Sequence, residues 1–175
     1  MRPLTVALVL LATLSTGSNA QAHPQTREGF WISFGLGPGS LTCDGCDDRL
    51  NGTHVYVRMG GTLSQRLLIG GELNGWSKTE GNTTLTVTNV GPVVYFYPSA
   101  NGGFFMKGGL GLAAASLEIG GFSGDETGAG ITLGIGWDAR VGKGFALTPY
   151  FDILASNFDG GSLNTVAFGL GFTWP

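Results

Sequence analysis

The chain has 175 residues, a formal net charge of −3, 32 glycines and only 12% charged residues. Charge is about half the usual share, which argues against an isolated water-soluble domain, and no basic footprint marks a nucleic-acid partner. After the N-terminal leader no apolar stretch reaches the ~18 residues of a membrane-spanning helix.

The leader itself reads as a secretory signal peptide. Arg2 supplies the positive charge, "LTVALVLLATL" the apolar run, and "STGSNAQA" the small residues before cleavage after Ala20 or Ala22. Residues 23–28 form a short tail, and one domain is expected over 29–174. Period-2 alternation then recurs, punctuated by Gly, Asn, Asp, Ser and Pro. It predicts eight strands, near 29–39, 52–63, 67–77, 83–97, 103–117, 128–141, 145–156 and 163–174. The connections at 64–66, 98–102 and 142–144 are tight. Those at 40–51, 78–82, 119–127 and 158–162 are mostly longer, rich in Gly and acidic residues.

Most strands have one large apolar face. In the last, Val166, Phe168, Leu170, Phe172 and Trp174 oppose Thr165, Ala167, Gly169, Gly171 and Thr173. Ile131, Leu133, Ile135 and Trp137 oppose Thr132, Gly134, Gly136 and Asp138 in the same way. Phe145, Leu147, Pro149, Phe151 and Ile153 do so against Ala146, Thr148, Tyr150, Asp152 and Leu154. If the apolar face pointed into a soluble core, water would meet a wall of glycine and threonine. If it faces lipid, the small and polar face lines a narrow lumen, as in a transmembrane barrel. The expected fold is therefore an all-β, eight-stranded, antiparallel, up-and-down transmembrane barrel. Phe30, Trp31, Phe96, Tyr97, Phe104, Phe105, Phe145, Phe172 and Trp174 are expected in one interfacial girdle. Trp76, Phe122 and Phe158 would form a sparser second one.

In organisation and in its ending "VAFGLGFTW" the chain resembles the small bacterial outer-membrane barrels of the OmpA-transmembrane-domain and OmpX type. The resemblance implies periplasmic turns, extracellular loops and a bacterial outer-membrane location. It also implies that Val166, Phe168, Leu170, Phe172 and Trp174 form the signal read by the barrel-assembly machinery, although Pro175 follows the final aromatic. Outer-membrane lipid is then a partner, and the loops would meet an unidentified extracellular one. No single activity follows, because such barrels serve as scaffolds, adhesins, pores and enzymes.

Three sets of residues could carry chemistry. Cys43 and Cys46, three apart in an exported chain, point to a disulfide closing the first loop. Neighbouring Asp44, Asp47 and Asp48 disfavour an acidified redox thiol and leave a cation site as the alternative. Arg58, Glu72, Lys107, Asp138, Arg140 and Asp152 have lumen parity; Arg58 and Glu72 are equidistant from Gln65 and in an unbulged hairpin should face each other. They would form either a charge network plugging the lumen or a narrow polar path. A Ser/His/acid hydrolase needs a histidine base, and the mature chain offers only His23 and His54. The sequence thus predicts a non-enzymatic barrel with a plugged lumen and no cofactor, acting structurally or through its loops. A channel for small solutes and a secreted soluble barrel holding an apolar ligand are the alternatives.

Overall fold

The computed structural model describes residues 26–44, 49–142 and 144–174. The signal peptide, Cys46, Asp47, Asp48 and Pro175 lie outside them. The strands among the described residues are β1 (Phe30–Cys43), β2 (Leu50–Ser64), β3 (Leu67–Glu80), β4 (Thr83–Phe96), β5 (Phe104–Ile119), β6 (Phe122–Trp137), β7 (Ala139–Gly142), β8 (Phe145–Phe158) and β9 (Gly161–Trp174). Each pairs antiparallel with its neighbours, and β1 pairs with β9, so the sheet closes on itself. β6 and β7 form one stave interrupted at Asp138, whose N–H leaves the ladder to donate to the Gly103 carbonyl at 2.9 Å. Both β6 and β7 pair with β8, giving eight staves. Closure matters because lipid can satisfy no backbone group, and an open sheet edge would be costly there.

The solvent assignment follows from which side chains are exposed. Phe34, Leu36, Val55, Val57, Leu73, Leu110, Leu133, Ile135, Phe151 and Phe168 all point outwards. The polar residues of the same strands, Arg58, Glu72, Asn74, Lys107, Thr148 and Asp152, are buried. Apolar out and charged in is the arrangement of a barrel wall in lipid.

Two sequence expectations need correction. The first concerns the loops. β3 and β4 are joined only by residues 81–82, β5 and β6 by 120–121, and β8 and β9 by 159–160. The stretches read as longer loops are therefore strand-paired hairpin tips. Gly120 and Gly121 have φ of 56° and 94°. Positive φ at both central positions is the requirement of a two-residue type I′ turn, so the "GG" that reads as loop is the turn itself. β5 has 16 residues, ~53 Å at ~3.3 Å per residue. Tilted at ~40° it still rises ~40 Å, against an apolar band of ~25 Å. The hairpins therefore stand out of the membrane.

The second correction concerns the aromatic girdle. Trp31, Tyr97 and Phe105, expected against lipid, are buried inside the barrel, as are Trp76 and Phe158. Parity decides: Trp31 alternates with outward Phe30 and Ile32, and Phe105 with outward Phe104 and Met106. Of the expected girdle Phe30, Phe96, Phe104 and Trp174 do face outwards, and Trp137 joins them. Phe34, Phe145, Phe172 and Trp174 pack ring on ring at centroid distances of 5.2 to 5.8 Å.

Candidate functional site

The lumen is filled in three layers. The lowest, at the end of the short turns, is aromatic: Trp31, Leu68, Val93, Tyr95, Tyr97 and Phe105 form one buried cluster. Trp31 meets Tyr95 edge-on, with ring centroids 5.1 Å apart, a favoured geometry. Room for Phe105 comes from Gly136 on the neighbouring strand, where an added Cβ would collide with the ring.

Below this cluster the mouth is closed by Arg27, from the tail that the sequence reading left without a role. Its guanidinium lies over the Tyr97 ring, 3.5 Å from the centroid. It donates to the carbonyls of Gln65 and Ala100, each at 3.2 Å, tying two turns together. Asp138 accepts from Tyr97 Oη and from Thr148 Oγ1, both at 2.8 Å. Arg140 donates to the Thr26 carbonyl at 2.7 Å. Asp138 and Arg140 therefore serve the mouth and stand apart from the central network. Arg27 carries no motif that could have announced it.

The middle layer holds the charges. Arg58 and Glu72 are direct cross-strand partners on β2 and β3. The register is centred on Gln65 because the ladder shifts between Thr62 and Ser64 before the turn. Arg58 Nε lies 2.6 Å from Glu72 Oε2, and Lys107 Nζ lies 2.6 Å from the same oxygen. Lys107 Nζ is 3.2 Å from Asp152 Oδ2, and Arg58 Nη2 pairs with that oxygen too. Two cations and two carboxylates thus alternate around a closed circuit with no net charge. Asn74 donates its amide to Glu72, and Arg58 lies over the Tyr56 ring, 3.4 Å from its centroid.

Such a circuit costs desolvation free energy, which only complete mutual pairing offsets. Glycine gives it space: Gly134 lies between Lys107 and Asp152. A Cβ at Gly134 would sit 2.6 Å from Lys107 Cε. Tyr56 likewise occupies space left by Gly35 and Gly171.

The uppermost layer is apolar again. Leu41, Trp76 and Val87 are buried together, with Leu50, Leu85, Ala115 and Leu163 packed against them. Trp76 Nε1 donates to the Gly39 carbonyl at 3.0 Å. His54, cross-strand partner of Trp76, is sealed beneath this layer with Nδ1 3.0 Å from Tyr150 Oη. Among the described residues no serine hydroxyl hydrogen-bonds it, so the residues of a Ser/His/acid set are not brought together.

The ends differ in charge. The hairpin-tip end carries Asp44, Glu80, Glu118, Asp125, Glu126 and Asp159 against Arg49 and Lys78. The short-turn end carries Arg27, Arg66 and Arg140 against Glu28 and Asp138. Lys78 lies 2.9 Å from Glu80 and, by hydrogen bond and charge, holds that exposed carboxyl below its usual pKa. Asp44 accepts from Ser162 Oγ. Cys43 ends β1, and its expected partner Cys46 lies outside the described residues.

A closed wall, apolar outside and polar inside, with hairpins at one end, defines an outer-membrane β-barrel. The chain belongs to the family described as outer membrane protein beta-barrel domain, whose model matches residues 6–174. The bacterial outer membrane follows as its location, and the soluble-barrel alternative falls. Its fold is similar to that of Neisserial surface protein A, at 13% identity over 86% of this chain and 99% of that one, with TM-score 0.72. It is similar to Ail, the attachment invasion locus protein of Yersinia pestis, at 15% identity over 85% and 100%, with TM-score 0.61. The N-terminal barrel domain of Pseudomonas aeruginosa OprF follows, at 12% identity over 85% and 100%, with TM-score 0.51. No curated protein matches the sequence significantly. Identities this low show a shared fold only.

Proposed function

We propose that this chain is a non-conducting outer-membrane barrel that acts at the cell surface through its protruding hairpins. The carrying observation is the closed circuit of Arg58, Glu72, Lys107 and Asp152, sandwiched between the Trp31–Phe105 and Leu41–Val87 clusters. A solute would have to displace two apolar layers and separate buried ion pairs. The printed names of two similar structures, a surface protein and an attachment protein, are consistent with a surface role. In this reading the outward face of β9, from Val166 to Trp174, addresses the barrel to the assembly machinery. The Cys43–Cys46 bridge shapes the first loop, and an exported precursor is cleaved after Ala20 or Ala22. His54, sealed between Tyr150 and Trp76, serves packing and not catalysis.

Planar-bilayer recording tests the reading. The wild-type protein should show no sustained openings, and Glu72→Ala, which unbalances the circuit, should show more openings than wild type. Sustained openings in the wild type would overturn it in favour of a narrow channel.

A further inference from the structure

The wall reverses its sidedness where it leaves the membrane. On β5 the outward residues Met106, Leu110 and Leu112 give way to Ser116 and Glu118. On β4, outward Val94 and Val90 give way to Thr88, Thr86 and Thr84. The inward face changes oppositely, from Lys107 to Leu117 and Ile119 on β5, and from Asn89 to Leu85 on β4.

These inward residues form one patch. Leu85 stands directly opposite Leu117, and Ile119 opposite Phe122; cross-strand partners share a face. Leu85 also packs on the Leu41, Trp76 and Val87 cluster, so the patch continues from the floor of the upper mouth. Exposure rises along it: Ala113 is 1% exposed, Leu117 41%, Ile119 51% and Phe122 84%. Its outer face is already serine, threonine and glutamate at this height, so its solvent is water. A contiguous apolar face held open to water marks an interaction site.

The rim supplies the charge. Glu126 is the cross-strand partner of Ala115, and Glu80 of Thr83, which places both on the patch side. Lys78, opposite Leu85, shares that side and pairs with Glu80 at 2.9 Å, so the rim is net negative through Glu126. Glu126 accepts from the Gly160 N–H at 3.0 Å, linking the β8–β9 tip to this rim.

We propose that the face formed by Leu85, Leu117, Ile119 and Phe122 binds an amphipathic, positively charged segment of a partner protein. Its apolar side chains cover the patch, and its cationic groups meet Glu126 and share Glu80 with Lys78. The inference rests on the reading that the barrel acts through its hairpins, and it adds where and to what chemistry.

The test uses the full barrel in nanodiscs of zwitterionic lipid, with empty nanodiscs subtracted. The probe is a fluorescent octapeptide of alternating leucine and lysine, read by anisotropy. Saturable binding is expected. The triple change Leu117→Ser, Ile119→Ser and Phe122→Ser should weaken it by roughly tenfold or more. Glu80→Gln with Glu126→Gln should weaken it a few-fold and remove its salt dependence. A leucine–glutamate octapeptide should not bind. Retention of the mobility shift on boiling shows that each variant is folded; if the triple variant fails this check, Phe122→Ser alone carries the test. Binding no greater than to empty nanodiscs, unchanged binding in both variants, or equal binding of the acidic peptide would overturn the proposal. So would self-association through Phe122 without peptide binding. A silent barrel that fails these tests sinks the peptide site alone; a conducting barrel sinks the underlying reading.

Discussion

The lower and upper halves of this wall are built from the same continuous strands, yet obey opposite rules. In the lower half, leucine and valine face outwards, while charge is paired within. In the upper half, threonine, serine and acids face outwards and the apolar residues turn towards the axis. Leu133 and Leu117 illustrate it: one is exposed to hydrocarbon, the other to water. What sets the solvent is height along the strand. Alternation alone shows that a strand has two faces and is silent on which medium each one meets.

The largest effect expected from breaking this contrast lies at the circuit. Glu72→Ala leaves Arg58 and Lys107 facing Asp152 alone, and loss of one partner from a buried ion set costs ~3–5 kcal/mol. Guanidinium unfolding in detergent micelles, followed by tryptophan fluorescence, should show it as a lowered midpoint. The second comparison places one substitution at two heights. Leu133→Arg, in the middle of the lipid-facing band, should cost ~2–4 kcal/mol, and Leu117→Arg on the hairpin ~1 kcal/mol or less. Equal costs would remove the boundary drawn here. The smallest contrast is between two glycines. Gly134→Val drives a side chain into Lys107 and should cost ~1–3 kcal/mol by overpacking. Gly71→Val points outwards, where an added Cβ meets nothing within 4 Å, and should be nearly neutral. The same unfolding midpoints read both.

Legibility in the sequence followed the same divide. "FALTPYFDIL" and "VAFGLGFTW" alternate cleanly because their outer residues meet one solvent throughout, and the structure keeps their faces as read. Arg58 and Glu72 could be paired from their equal distance to Gln65, although the turn is residues 65–66 and the shift between Thr62 and Ser64 is what centres the register there. Lys107 and Asp152 complete the circuit from strands distant in sequence, and only closure of the barrel brings them there. The interior aromatics were misplaced because a lipid interface and a narrow lumen both accept Trp and Tyr. Composition cannot separate the two; parity does, and Phe158 lies in phase with inward Tyr150 and Asp152. The hairpin tips read as loops for a related reason. "FSGDETG" carries Gly and acid on a strand that pairs residue for residue with β5.

The most direct test of the reversal is a spin-label scan along β5, one position at a time from Phe104 to Ile119, in lipid bilayers. Accessibility to oxygen reports lipid, and accessibility to a polar nickel chelate reports water. Oxygen contact should peak at Met106, Gly108, Leu110 and Leu112, with both reagents excluded at Phe105, Lys107 and Ala113. From Ser116 onwards the chelate should reach Leu117 and Ile119 as readily as Ser116 and Glu118. Oxygen peaks continuing through Ser116 and Glu118, or a chelate excluded from Leu117 and Ile119, would contradict the account.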